Sequence, residues 1–322
     1  MTGRTLFSQG WPEPIVVTGA AAATAGEIAV PAAIADWVER APFAAVERFL
    51  AERAPGAAAL VTAMGRLIAQ PGMGDLPEPA ERGIVIGTWA AALSEVREFM
   101  MEVEAVGGSL VNPGLFPFTV INAAAGRAAI EHRCEGPNLT LNNGVTSAFD
   151  ALAYAADLAA SGRSQLVFAG GFEGIGEDLS QAFGRRRGRA VVAAVVALAA
   201  AGPAASRGAR PLARLLSYSS ARDEGSGAEV VRQEVLAAAL ARAREAAGSD
   251  AAVGGAAVPV EVTPAGGGCE PDTILLALLE GVRRAASGHA GQLVPIVAAA
   301  PGSPAAAALV LGGPCERSRD GG

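Results

Sequence analysis

Lysine is missing from this chain altogether: all 25 of its Lys and Arg residues are arginine. A mechanism that needs a Schiff-base or general-base lysine is thereby excluded. Histidine is almost as scarce, with only His132 and His289, which leaves little from which to build an imidazole metal centre. The three cysteines, Cys134, Cys269 and Cys315, are odd in number and have no paired spacing. That pattern excludes a disulfide framework of the secreted kind and makes a reducing cytoplasm the expected setting. Excess positive charge is lacking too: the net charge of −7 offers no basic face for nucleic acid. Arg185, Arg186 and Arg187 form the one dense basic run. No apolar stretch is long enough to span a membrane, Ala190 to Ala201 being too short, and the opening MTGRTLFSQGWPEP has no apolar signal core. The expectation is a soluble cytoplasmic protein.

What is present is a large apolar fraction, 51% of 322 residues, enough for one big domain or two fused halves. The Ala, Gly and Arg richness matches a GC-rich coding sequence, so alanine is discounted as a fold signal. Ile15 to Ala21 and Gly83 to Thr88 are β-branched runs ended by turn residues, and they predict strands covered on both faces. Helical spacing predicts helices over Ala32 to Arg53 and Ser94 to Val106. Asn138 to Leu141 predicts a strand, followed by an Asn-Asn-Gly turn and a helix from Ser147 to Ala160 capped by Ser147 and Asp150. Gln165 to Gly170 and Ala190 to Leu198 predict further strands. After a break at Ala201 to Gly208, the pattern restarts in shortened form. Strands are predicted over Pro211 to Ser219, Val258 to Thr263, Leu293 to Ala299 and Ala306 to Leu311, and helices over Glu229 to Ala247 and Pro271 to Ala286. Alternating strands and helices predict a layered α/β fold.

The stretch Phe116 to Gly174 contains INAAAGRAAI, then GPN, then the strand-turn-helix, then VFAGGFE. In this it resembles the ketosynthase branch of the thiolase superfamily. The resemblance implies a five-layered αβαβα fold of two similar halves, residues 1–200 and a pared-down 201–313, with a polar tail over 314–322. In active members, the loop after GPN places a cysteine at a helix N-terminus, where free N–H groups and the helix dipole favour thiolate. Counting from Gly136-Pro137-Asn138, that position is Val145, which cannot be acylated. The family's N-A-H-G-T-G-T turn is matched by Thr263 to Cys269, with Ala265 at the histidine position. Its K-S-x-x-G-H segment reads as largely deleted beyond Ala286, with His289 either a remnant or a surface-loop histidine. The terminal N-S-F-G-F-G-G loop is matched by Ala300 to Ala305, without either phenylalanine.

Losing nucleophile, histidines, lysine and gate together removes condensation chemistry. Known members with this loss are similar to chain length factors of type II polyketide synthases, and the compact length resembles the polyene-type, highly reducing group. The resemblance implies no cofactor, an acyl chain delivered on the phosphopantetheine of an acyl carrier protein, and a heterodimer with an active ketosynthase. It also places Phe116, Phe118, Thr119, Asn122 and Ala123, on a helix Phe118 to Ala129, along an acyl tunnel at the dimer interface; ordinary core packing is the other reading. Phe183, implied as a further tunnel residue, matches the F-D-x-x-R-D-G loop beside the active site, here FGRRRGR, whose Arg185, Arg186 and Arg187 either dock a carrier protein or are a solvated loop. Two rival functions remain open. One is a divergent acyltransferase or hydrolase using Ser147 or a cysteine, with a capping serine as the plainer reading of Ser147; the other is a scaffold for carrier proteins.

Overall fold

The computed structural model describes residues 5–26, 28–43, 46–90, 92–176, 179, 190–222, 228–247, 260–261, 271–288, 292–299 and 305–314. The predicted Ala265, Phe183, Arg185, Arg186, Arg187, His289, Cys269 and Cys315 lie outside these residues, as does nearly all of the segment from Ala300 to Ala305.

The sheet is organised around β1 (Thr5–Gly26), which is longer than its β-branched run implies. Ile15 to Gly26 pair antiparallel with β6 (Ala190–Ala200), while Thr5 to Gly10 and Ile15 to Val17 pair with β7 (Ala213–Arg222). Every residue of β6 is buried, so the run AVVAAVVALAA is the interior strand of a sheet covered on both faces. The remaining strands are β2 (Val38–Arg40), β3 (Arg82–Gly87), β4 (Asn138–Leu141), β5 (Leu166–Ile175), β8 (Val260–Glu261), β9 (Leu293–Ala299) and β10 (Ala305–Gly312).

From its two edges inward, the sheet reads β4-β3-β5-β6-β1 and β8-β9-β10-β7. Among the described residues, the second order repeats the first without a counterpart of β4. The pairing sense repeats as well: β3–β5 and β8–β9 are parallel, while β5–β6 and β9–β10 are antiparallel. The helices complete five layers. α2 (Pro55–Ile68) and α4 (Ala123–His132) cover the outer face of the first half, with Leu60, Met64, Ile84, Ile86 and Phe168 in one cluster. α5 (Ser147–Ala160) and α8 (Pro271–Ser287) share the central cluster with strands of both halves, and α7 (Ala228–Ala247) covers the second half through Val231, Val235 and Ala239. This is the αβαβα architecture of two similar halves, the second truncated.

The repeat relocates the truncation. α8 lies in the central layer beside α5 and is therefore the counterpart of α5. In the first half, 59 residues (88–146) separate β3 from α5; in the second, nine (262–270) separate β8 from α8. The lost segment thus falls before α8, not beyond Ala286 as the sequence suggests.

Local differences have local causes. The helix expected over Ala32 to Arg53 is a 3-10 turn (Ala32–Trp37), β2 and a short α1 (Arg48–Arg53), because Pro42 lacks the N–H and clashes with the preceding turn. α2 escapes the sequence reading because its alanines are discounted. In the fold they are the packing: a Cβ on Gly56 would sit 2.9 Å from the Phe172 ring, so only small residues let this helix approach the sheet. α3 (Leu93–Val106) forms as expected, whereas the break at Ala201 to Gly208 holds a short helix, α6 (Ala201–Ser206).

Candidate functional site

The site lies where β4 enters α5. The Thr88 N–H donates to the Leu141 carbonyl at 2.9 Å, drawing the end of β3 against the end of β4. Gly144 then takes φ +70°, a left-handed conformation that suits glycine, and a 3-10 turn over Gly144–Thr146 leads into the helix. Gly87 is fixed by close approach: a Cβ there would stand 2.2 Å from the Ser147 carbonyl carbon and oxygen. β3 and the start of α5 are therefore in backbone contact, and Val145 sits in the turn that joins β4 to α5.

Val145 lines a cavity of about 20 Å³, room for about one water molecule, together with Trp89, Glu173, Ile274 and Leu275. Glu173, buried on β5, accepts hydrogen bonds from the backbone N–H of Trp89, from that of Ala90 at 3.0 Å and from the Thr88 hydroxyl at 3.4 Å. A carboxylate held by backbone donors in a dry setting fixes the 88–90 turn in one geometry. The sequence reading quotes Glu173 within VFAGGFE and gives it no role, and it passes over Trp89. The signal for both is adjacency: Trp89 closely follows the buried β3, and Glu173 lies near the end of the buried β5.

The capping box expected of Ser147 and Asp150 does not form. The Ser147 hydroxyl donates to the Gly144 carbonyl at 2.6 Å and accepts from the Asn143 N–H at 2.8 Å. Asp150 accepts instead from the Thr146 hydroxyl at 3.0 Å, the Asn143 side-chain amide at 3.1 Å and the Tyr218 hydroxyl. A long-range partner on β7 thus takes the carboxylate that local capping would use. Ser147 is buried, and among the described residues it meets no imidazole or carboxylate that could take its proton. Burial first, and then the Asp150 charge and its hydrogen bond, raise the pKa of the Tyr218 phenol well above its ordinary value.

Cys134 and His132 form no dyad. The buried Cys134 thiol is pushed up to about 11 by desolvation, and its Sγ lies 3.8 Å from the His132 carbonyl. His132, the last residue of α4, places Nε2 2.9 Å from the Val61 carbonyl on α2. Among the described residues, no three His, Cys, Asp or Glu side chains gather as metal ligands, and no helix is long and apolar enough to cross a membrane.

The helix expected over Phe118 to Ala129 begins at Ala123. Pro113 and Pro117 hold the preceding Pro113–Thr119 as a 3-10 segment. Phe116 is 59% exposed, with its ring 5.8 Å from that of Phe99. Phe118 packs into the outer cluster against Phe49, and the Thr119 hydroxyl bonds the Phe116 carbonyl at 2.7 Å. Asn122 is the exposed N-cap of α4, and Ala123 is its first, half-buried residue. The five are neighbours on one segment. None lines the small cavity or the larger groove of about 590 Å³ beside α5, which is walled by Phe7, Tyr154, Tyr218, Asp150 and Asp157.

Around that segment lies an uncovered apolar surface. α3 has no buried residue, and Met100, Met101, Val106, Leu110, Phe116, Val120 and Ile121 are all exposed. β4, the adjacent sheet edge, has no buried residue either. Edge strands and apolar patches of this kind mark sites of association.

A family model described as "Beta-ketoacyl synthase, N-terminal domain" matches residues 43–205, half of the chain. The 3-oxoacyl-[acyl-carrier-protein] synthase 2 of Vibrio harveyi is 27% identical over 103 residues, which are 32% of this chain and 25% of that protein. The match therefore spans a quarter of that relative's length. Among solved structures, the ishigamide ketosynthase/chain length factor aligns with TM-score 0.68 at 20% identity, covering 92% of this chain and 99% of that one. A type II polyketide synthase acyl-carrier protein in complex with its ketosynthase bound to the hexaketide aligns at TM-score 0.65 and 13% identity, covering 95% and 100%. A β-ketoacyl synthase from Burkholderia phymatum STM815 aligns at 0.62 and 13%, covering 93% and 99%. At these identities the structural likeness describes the fold.

Proposed function

The chain belongs to the β-ketoacyl synthase family, and from that membership we propose that it is a catalytically silent, chain-length-factor-like subunit. In this role it pairs with an active ketosynthase, completes the acyl tunnel and limits the number of elongations, with a polyene-type, highly reducing system as the finer assignment. It needs no cofactor of its own, because the growing chain arrives on the phosphopantetheine arm of an acyl carrier protein.

The observation that carries the reading is the entry to α5: Val145 faces a cavity of about 20 Å³ where condensation would need a thiolate and an acyl pocket. The entry to the second central helix carries neither the family's histidine nor its lysine. Residues 262–270 read VTPAGGGCE, so no register places a histidine or lysine before α8. The uncovered surface on α3 and the following 3-10 segment supports a partner, since an obligate interface of more than about 2,000 Å² is rich in such apolar side chains. The ishigamide ketosynthase/chain length factor and the carrier-protein–ketosynthase complex, to which this chain is similar in fold, support that assembly.

The test is co-expression with an active type II polyketide ketosynthase. The expected result is a stable 1:1 complex that condenses malonyl units, while this chain alone neither condenses nor acquires an acyl adduct by intact mass. Condensation by the chain alone would overturn the reading.

A further inference from the structure

We infer that Trp89 is a plug that closes this subunit's own acyl niche, held in place by the buried carboxylate of Glu173. The functional consequence rests on the silent-partner reading: an elongating chain would be turned away from α5 and confined to the surface shared with the ketosynthase.

The walls of the small cavity carry the argument. Among the described residues, seven of the ten that line it are buried, and the three that reach solvent are Trp89, Gly144 and Val145. Gly144 has no side chain, so the opening lies between the indole and the Val145 isopropyl group. A Cβ placed on Gly144 would meet the Trp89 Cδ1 at 3.8 Å, which puts the indole in van der Waals range of the turn that carries Val145.

The rest of the niche has no room to give. Gly87 abuts the Ser147 carbonyl, and a Cβ on Gly171 would lie 2.7 Å from Leu275 Cδ2 and 2.8 Å from the Gly87 carbonyl oxygen. Behind the mouth lie the Gly87 and Ser147 backbone and the buried side chains of Thr88, Ala148, Ile274 and Leu275. Trp89 is the large side chain at the mouth, and its backbone N–H and that of Ala90 are both tied to Glu173. Glu173 acts through Trp89 and is a positioning residue.

The test uses the full chain with Val145→Cys, alone and combined with Trp89→Ala. Each is treated with N-ethylmaleimide and N-octylmaleimide, which share a warhead and differ in tail length. Peptide mass mapping follows adduct formation at position 145 apart from the natural cysteines. With the plug in place, the octyl reagent should react about tenfold more slowly than the ethyl reagent, because added methylenes must overpack a closed niche. Trp89→Ala should remove most of that difference, and Glu173→Gln part of it. Should Trp89→Ala fail to fold, as judged by circular dichroism, Trp89→Val gives the same comparison with less volume removed.

Equal rates for the two reagents in Val145→Cys, or an unchanged ratio in a folded Trp89 variant, would overturn the plug. Labelling needs no partner, so the two readings fail separately. A closed niche in a chain that never binds a ketosynthase sinks the partner role, and an open niche in a chain that does bind sinks the plug.

Discussion

Phe116 separates the stability of the fold from the stability of an assembly. Its side chain is 59% exposed, and an aromatic residue can bury about 150–250 Å², so about 90–150 Å² remains open to a partner. At about 25 cal/mol per Å², covering that area contributes about 2–4 kcal/mol. Phe116→Ala should therefore weaken the complex with the ketosynthase by roughly 30- to 1,000-fold in Kd. The free chain loses much less, about 0.5–1.5 kcal/mol from the edge contact with Phe99. The assay pairs isothermal titration of the ketosynthase with urea unfolding of the isolated subunit. Val230, 47% exposed on α7 in the outer layer of the second half, is the control, and Val230→Ala should change neither measurement by more than about 0.5 kcal/mol. A Kd unchanged within about threefold in Phe116→Ala, a difference below about 0.7 kcal/mol, would refute the assignment of this face to the partner.

Three further outcomes are expected. Cys134, with its thiol pushed up to about 11, is ionised to about one part in a thousand at pH 8, so Ellman's reagent should reach it about a hundredfold more slowly in the native than in the unfolded protein. Comparable rates in the two states would remove the case against a cysteine nucleophile there. The native state keeps the Tyr218 proton that the unfolded chain releases near pH 10, so this stabilisation is complete below about pH 10 and is lost as pH rises above it. Tyr218→Phe should cost about 1.5–3 kcal/mol at pH 7 and flatten the alkaline limb of the stability profile; an unaltered limb would count against the phenol as its source. Gly87→Ala forces a Cβ into the Ser147 backbone and should destabilise by about 3 kcal/mol, whereas Gly126→Ala, in open space on α4, should stabilise by about 0.5–1 kcal/mol. Thermal melting ranks the pair, and the opposite order would be inconsistent with the contact geometry.

Strands and central helices were legible because burial on both faces leaves an unbroken apolar signature. Asn138 to Leu141, Ser147 to Ala160 and Leu293 to Ala299 have the boundaries that the residues imply. α2 was not legible, since alanines that reflect base composition and alanines that permit close helix-sheet approach are the same letters. The capping of α5 was misread because Asp150 accepts from side chains, among them Tyr218 68 residues beyond it, in place of the local backbone donor. Val145 could be placed by counting from GPN, but its setting could not. Trp89, Glu173 and Leu275 reach the same cavity from three separate elements, and no spacing rule links positions so far apart in the chain.

The truncation shows which parts of a duplicated fold are dispensable. What the second half has lost is the counterpart of 88–146, a segment whose buried helical packing in the first half is small side chains of α4, Ala124, Ala125 and Ala128, while α3 and β4 contain no buried residue and the 3-10 segment contains only Leu115. Removing its twin from the second half therefore sacrifices little core, because α7 still covers β7, β9 and β10 on one side and α8 still fills the central layer on the other. In the first half, the same segment persists together with its exposed Met100, Met101, Leu110 and Phe116. Apolar side chains in water add nothing to the free subunit and invite aggregation, so their retention makes physical sense where something covers them. On the proposed reading, that patch supports a pairwise complex in which an active ketosynthase supplies the thiolate and imidazoles.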